Sequence, residues 1–375
     1  MDIDRQMLSL PVRRLLGDPT AEVETFSAQP LGGGFAESNV GGLGTLRLEG
    51  TASGVGGRRG FQMVAKSLAD GGTGSGDPRD WNYWKREPLA YASRVLRALP
   101  PGISAPICYG VDLDAEDRAT IFLEAVPEEE SAWTFETYRR AAEGLGRFNG
   151  AYLAGMPRPE FPWMLRGRGE NWFKKSGDAL ARLRVEAGEP VLAAWLSEGT
   201  FDRTLALWRR SDALLAALRS LPLCLCHHDA FRRNLIVRSD RGGDMVAIDW
   251  SMLGPGAVGE DLAPLVGITL QFMDVKMEEA RDLERAVFAG YLAGLRTAGW
   301  AGPEVAARLG FTASISLLLG LGSFGPWLPY LRDPANQPDL ERVIGKPMKA
   351  FLEGLAALQS YSMDLGDEAL SLASA

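Results

Sequence analysis

The chain has 375 residues, with 40 lysines and arginines against 48 aspartates and glutamates and a formal net charge of -8. That length suits one bilobal unit or two domains around a large core. The acidic balance argues against nucleic acid or an anionic membrane as partner and favours a cationic small molecule.

The first residues, MDIDRQMLSL, carry acids and no long apolar run, so no signal peptide is expected and a cytoplasmic setting is. Up to about residue 125 the chain reads as short strands between glycine-rich turns. Gln29 to Asn39 is a strand end and a flexible loop, Gly44 to Gly50 a strand, and Thr51 to Gly60 a solvated turn. Phe61 to Leu68 alternates as a third strand and carries Lys66 on the face of Val64 and Leu68. WNYWKREPLAYASRVLRAL has helical spacing, and Ala119 to Val126 is a further strand that ends at Pro127 and the acids Glu128 to Glu130.

Beyond that point helical patterns dominate. Tyr138, Ala142, Leu145, Phe148 and Tyr152 form one apolar stripe. A strand region, Leu223 to Trp250, interrupts the helices. Leu309 to Leu331 has no charge and could span a bilayer by length, but its serines, glycines and prolines favour a buried helix followed by a turn. The expected fold class is α+β and bilobal. Residues 1–126 form a small strand-rich lobe, 127–375 a larger, mostly helical lobe, and 124–128 the hinge.

The chemistry concentrates in CHHDAFRRNLIVRSDRGGDMVAIDW. LIVR and MVAI are apolar runs around a turn signal, and as an antiparallel hairpin they bring Asn234 and Asp249 side by side. An amide oxygen beside a carboxylate is a hard donor pair of the kind magnesium takes. Asp229, five residues before Asn234, is placed to accept a proton from a nucleophile near that metal. Cys224, Cys226, His227, His228 and Asp229 also admit a zinc reading, but neighbours in a strand point to opposite faces and the spacing matches no common site. With Cys108 as the third cysteine, no disulfide framework is expected.

His227-x-Asp229-x4-Asn234, the following Ile248-Asp249-Trp250, and Asp261-Leu262-Ala263 resemble the motifs of the aminoglycoside phosphotransferase and choline kinase-like superfamily, whose fold is protein kinase-like. The resemblance implies ATP (GTP being the alternative) and Mg2+ as cofactors, with phosphoryl transfer to a hydroxyl of an aminoglycoside-, amino alcohol- or sugar-like molecule. It implies Asp229 as catalytic base and Asn234 and Asp249 as metal ligands. Lys66 would hold the α- and β-phosphates, with Glu87 as its ion-pair partner. Gly33, Gly34, Ser38 and Asn39 would form the loop over the phosphates, and Glu124 and Val126 the adenine-binding hinge. Asp261 would brace the catalytic loop.

Two positions depart from the family pattern: His228 stands where glycine is common, and Phe231 where His or Lys is common. Any positive charge near the phosphate would then come from Arg232 or Arg233. Trp133, Trp163, Trp172, Trp195 and Trp208 are expected mainly in the core, with an acceptor pocket as the other role for them. An atypical protein kinase and a catalytically inactive nucleotide-binding regulator are the rival readings. No A-P-E segment follows Asp249, against the first, and Asp229, Asn234 and Asp249 are all present, against the second.

Overall fold

The computed structural model describes residues 3–31, 42–70, 75–113, 118–129, 132–167, 195–240, 245–323 and 331–374. Its first element, the helix α1 (Arg5–Leu16), was not anticipated by the strand reading of this region. Asp4 caps it by accepting from the Met7 N–H at 2.8 Å, and Gly17, at φ 62°, ends it. Pro11 inside the helix obscures the helical signal. Leu8 and Val12 of α1 are fully buried against one face of the sheet.

That sheet comprises β1 (Glu22–Pro30), β2 (Gly42–Gly54), β3 (Gly57–Ala69), β4 (Cys108–Leu113) and β5 (Arg118–Glu124), in the order β1-β2-β3-β5-β4 with every neighbour antiparallel. The segment expected as a turn at 51–60 is mostly ladder. Thr51 pairs with Gly60 and Gly54 with Gly57, so only Val55 and Gly56 make the turn. Period-two alternation in β3 sends Phe61, Met63 and Ala65 under α1, while Val64 and Leu68 join the inter-lobe core. Lys66 therefore faces the larger lobe.

The expected helix around Trp84 is shorter than its apolar spacing suggested. α2 runs only over Arg86–Ala92, because Arg94 adopts φ 64° and breaks it before a 3-10 turn at Val95–Arg97. The larger lobe contains α3 (Phe135–Leu153), α4 (Glu198–Trp208), α5 (Ser211–Ser220), α6 (Leu262–Gln271), α7 (Ala280–Thr297), α8 (Glu304–Ile315), α9 (Gln337–Ile344) and α10 (Met348–Leu372). α8 continues as a π-helical turn through Leu321. Its span Glu304–Leu321 is long and apolar enough to cross a membrane, and 83% of that span is buried inside the protein.

Two short ladders carry the site. β6 (Leu223–Cys226) pairs with β9 (Gly254–Ala257), and β7 (Leu235–Val237) with β8 (Met245–Ala247). Beneath them α3 and α7 pack backbone to backbone. A Cβ on Gly146 would run into the Tyr291 carbonyl oxygen, and one on Gly294 into that of Glu143. Neither backbone can yield without moving a helix. Gly294→Ala should therefore cost about 1–3 kcal/mol by overpacking, read as a lower urea midpoint with an unchanged slope.

Candidate active site

The β7–β8 register sets Leu235 opposite Ala247, and the Ile248 N–H donates to the Asn234 carbonyl at 2.9 Å. The ladder thus runs one residue beyond each strand and leaves Asn234 and Asp249 at the same end. Asn234 Nδ2 donates to both the main-chain oxygen and Oδ2 of Asp229, each at 2.9 Å. Because that nitrogen is committed, the group Asn234 can offer a cation is its oxygen. Asp249 has φ 58° and ψ 67°, a left-handed conformation that costs a non-glycine residue about 1–3 kcal/mol.

The loop before Asn234 is built on a buried carboxylate. Asp261 is fully buried just before α6 and accepts from the His228 N–H at 2.7 Å and the His227 N–H at 3.2 Å. Asn149 on α3 donates to Asp261 at 3.0 Å and to the Leu225 carbonyl at 2.8 Å, and accepts from the Tyr291 hydroxyl at 2.8 Å. These bonds hold His228 at φ 65°, which explains why glycine suits that position. Burial lowers the His227 pKa, keeping the ring neutral. Its Nδ1 accepts from the Asp229 N–H at 3.2 Å, so Nε2 carries the proton and donates to Ile248 O at 3.0 Å.

Across the cleft, Lys66 Nζ lies 2.6 Å from Glu87 Oε2 and 3.3 Å from Asp249 Oδ1. Glu87 is 1% exposed and its Oε1 accepts from the Trp250 N–H at 3.3 Å. Burial opposes the ammonium, but Asp249 and Glu87 outweigh it and raise the Lys66 pKa. Burial likewise opposes ionisation of Asp249, and Lys66 with a hydrogen bond from Ser251 overcomes it and lowers that pKa. For Glu87 burial wins, and its pKa is raised despite Lys66.

The sequence matches the phosphotransferase enzyme family over residues 78–305, more than half of the chain. The chain belongs to that family. Its members are small-molecule phosphotransferases, and this protein is one. No curated protein sequence matches it. Its fold is similar to that of an amicoumacin kinase solved with AMP-PNP, Ca2+ and Ami, at 14% identity over 94% of each chain and a TM-score of 0.51. It is also similar to a choline/ethanolamine kinase family protein from Mesorhizobium loti, at 18% identity over 92% of each chain and a TM-score of 0.50. The α+β, bilobal, kinase-like fold expected from the motifs is thereby shown.

Two arginines not singled out by the motifs tie the lobes of this phosphotransferase together. Arg86, fully buried, spends all its N–H groups on main-chain carbonyls: Trp163 at 3.0 Å, Trp81 at 3.0 Å, Ser251 at 2.9 Å, Pro78 at 3.1 Å and Asp80 at 2.7 Å. It adjoins Glu87 in sequence and reaches Ser251, two residues past Asp249. Burial lowers its pKa to about 10. Arg238, 5% exposed at the end of β7, meets Glu124 at 2.7 Å. Flanked by Lys85 and Glu87, Arg86 carries no local signal of its burial.

At the hinge, the Glu124 N–H donates to Ile107 O at 2.8 Å and its carboxylate is engaged by Arg238 and the Ile107 N–H. Val126, whose N–H meets no main-chain carbonyl among the described residues, keeps a backbone donor for the adenine contact expected of Glu124 and Val126. Gly33, Gly34, Ser38 and Asn39 lie outside the described residues. Cys226, His228 and Asp261 approach one another, but Asp261 already accepts two N–H groups and an amide, and the ladder that holds Cys224 and Cys226 is apolar core. That is not the donor set of a zinc site.

Trp163 and Trp195 are buried, Trp208 packs against the helical core, and Trp133 makes an edge contact with Tyr138 at 4.9 Å. Trp172 lies outside the described residues. A cavity of about 400 Å³ opens beside β6 and β9, lined by Arg158, Met164, Leu215, Leu223 and Gly256, and none of the expected site residues lines it.

Arg86→Lys keeps the charge but can satisfy at most three of the five carbonyls. A buried group left unpaired costs about 1–3 kcal/mol. We expect a fall in stability of at least that size, measured by thermal or urea unfolding, and a larger one for Arg86→Met.

Proposed function

We propose that the protein transfers the γ-phosphoryl group of ATP to a hydroxyl of a small molecule, with a divalent cation, in a cytoplasmic setting. The observation that carries this reading is the bridge from Lys66 to the buried Glu87 and to Asp249. A lysine anchored by a helix-borne glutamate leaves its remaining donor capacity for phosphate oxygens. Residues 1–126 would hold the nucleotide, with adenine at Val126, and 127–375 the metal and the acceptor.

Asn234 and Asp249 fit a magnesium ion chemically, as one amide oxygen and one half-exposed carboxylate at the same ladder end. When bound there, the cation supplies charge neutralisation at the phosphates. The remaining work falls to side chains. Asp229, oriented by Asn234 and by its own N–H on His227, accepts the acceptor hydroxyl proton. The acceptor oxygen forms the new P–O bond, the bond between the β and γ phosphoryl groups breaks, and ADP leaves. Lys66, kept protonated by its two carboxylates, meets the charge on the phosphates.

The course of the chain after Asp249 supports a small-molecule acceptor over a protein. It passes through a 3-10 turn, Trp250–Met252, straight into β9 and then α6, leaving no extended docking segment between them.

Asp229→Asn should lower kcat by about 10²–10⁴, with nucleotide binding retained in a thermal-shift titration. Lys66→Met should instead weaken nucleotide binding. Near-normal turnover by Asp229→Asn on the true acceptor would sink the assignment of the base.

A further inference from the structure

The two arginines after Asp229 leave the catalytic loop in different directions. Arg232–Asn234 form one 3-10 turn, in which adjacent side chains diverge by about 120°. Arg232 is committed to the hinge side: Nη1 lies 2.8 Å from Glu128, and the guanidinium covers the Trp133 ring at 5.0 Å. Arg233 turns to the end of α6, where its guanidinium lies 4.0 Å from the Phe272 ring centroid. Phe272 in turn stacks on Phe231, with centroids 6.0 Å apart and planes at 15°.

This arrangement changes the meaning of Phe231. It supplies no charge itself, but with Phe272 it makes a flat apolar mount for the charge of Arg233. Among the described residues Arg233 forms no ion pair within 4 Å. A guanidinium with one face on an aromatic ring keeps its N–H edge available for a planar partner. Asp274, two residues past Phe272, is close enough to feel Arg233 and Arg232, although burial still raises its pKa.

We propose that Arg233 receives a carboxylate carried by the acceptor, so that the substrates are alcohols bearing a carboxylate. The proposal rests on the phosphotransferase reading above and names its acceptor class. The nucleotide has its own contacts on the other side, Lys66 for phosphate and Val126 for adenine, and Arg232 is already paired there. Arg233 lies four residues past Asp229, on the α6 side of the 3-10 turn that follows it and away from Glu128. A bidentate guanidinium–carboxylate contact is among the strongest available to a small polar ligand. The net charge of -8 acts at long range and would favour a cation, whereas Arg233 acts at contact.

The test is ADP release by the full chain with Mg2+ and ATP across matched alcohols: hydroxy acids, hydroxy amino acids, and amino alcohols and sugars without a carboxylate. Release should be triggered by carboxylate-bearing alcohols. Arg233→Gln should raise their KM about 10- to 100-fold, and Arg233→Lys should raise it less. The Mg2+-dependent thermal shift with AMP-PNP should persist in both variants. Preference for carboxylate-free alcohols, an unchanged acceptor KM in Arg233→Gln, or no release with any carboxylate-bearing alcohol would overturn the proposal. Absence of the nucleotide shift in the wild-type protein would instead overturn the phosphotransferase mechanism beneath it.

Discussion

The ammonium of Lys66 sits between the buried carboxylate of Glu87 and the part-exposed one of Asp249, and taking Glu87 out of water costs several kcal/mol before any attraction is counted. The cost is recovered only when all three are together. Without Lys66, Glu87 would be buried with no cation beside it and with Asp249 as a neighbouring like charge. Without either acid, a buried cation would lack a partner. β3, α2 and the end of β8 are therefore obliged to meet, although they come from distant parts of the sequence. Arg86 makes the same demand through hydrogen bonds, because its five carbonyl partners lie on the segment before α2, on Trp163 and on Ser251. The result is a cleft whose charged groups are assembled by the fold itself.

The floor of the cleft depends on a second buried acid. Asp261 fixes the main chain of His227 and His228, Asn149 links it to α3, and Tyr291 links Asn149 to α7. That chain works only because the glycines of α3 and α7 let the two helices approach to backbone contact. The strained conformations at His228 and Asp249 lie at the two ends of this braced region. Strain of this kind persists where surrounding bonds over-determine it, and it sets the directions of Asp229 and of the Asp249 carboxylate.

Much of this was legible in the sequence where the signal was local. The hairpin around LIVR and MVAI forms antiparallel as expected, but one residue out of the pairing that would set Asn234 opposite Asp249: Leu235 faces Ala247 and Asn234 faces Ile248. The stripe from Tyr138 to Tyr152 is buried as its period requires. Lys66 meets Glu87 because alternation in β3 and the helical phase of α2 each point inward. Other features escaped because their cause lies elsewhere in the chain. β9 reads as GPGA and becomes a strand only through its ladder with β6. α1 contains a proline and owes its place to the apolar face of β3. Arg86 looks like a surface charge until its carbonyl partners, contributed by three separate segments, are known. The direction of Arg233 depends on Phe272, which no motif around Asp229 could reveal.

Preassembly is the central claim, and amide hydrogen exchange of the nucleotide-free protein tests it directly. The account predicts that residues 86–92 and 249–253 are strongly protected before any ligand is added, with similar opening free energies, because Lys66, Glu87, Asp249 and Arg86 bind them into one unit. Addition of AMP-PNP and Mg2+ should change that protection little. Rapid exchange of α2 that becomes slow only with nucleotide would contradict it, and would mean that the ligand, not the fold, brings Glu87 to Lys66.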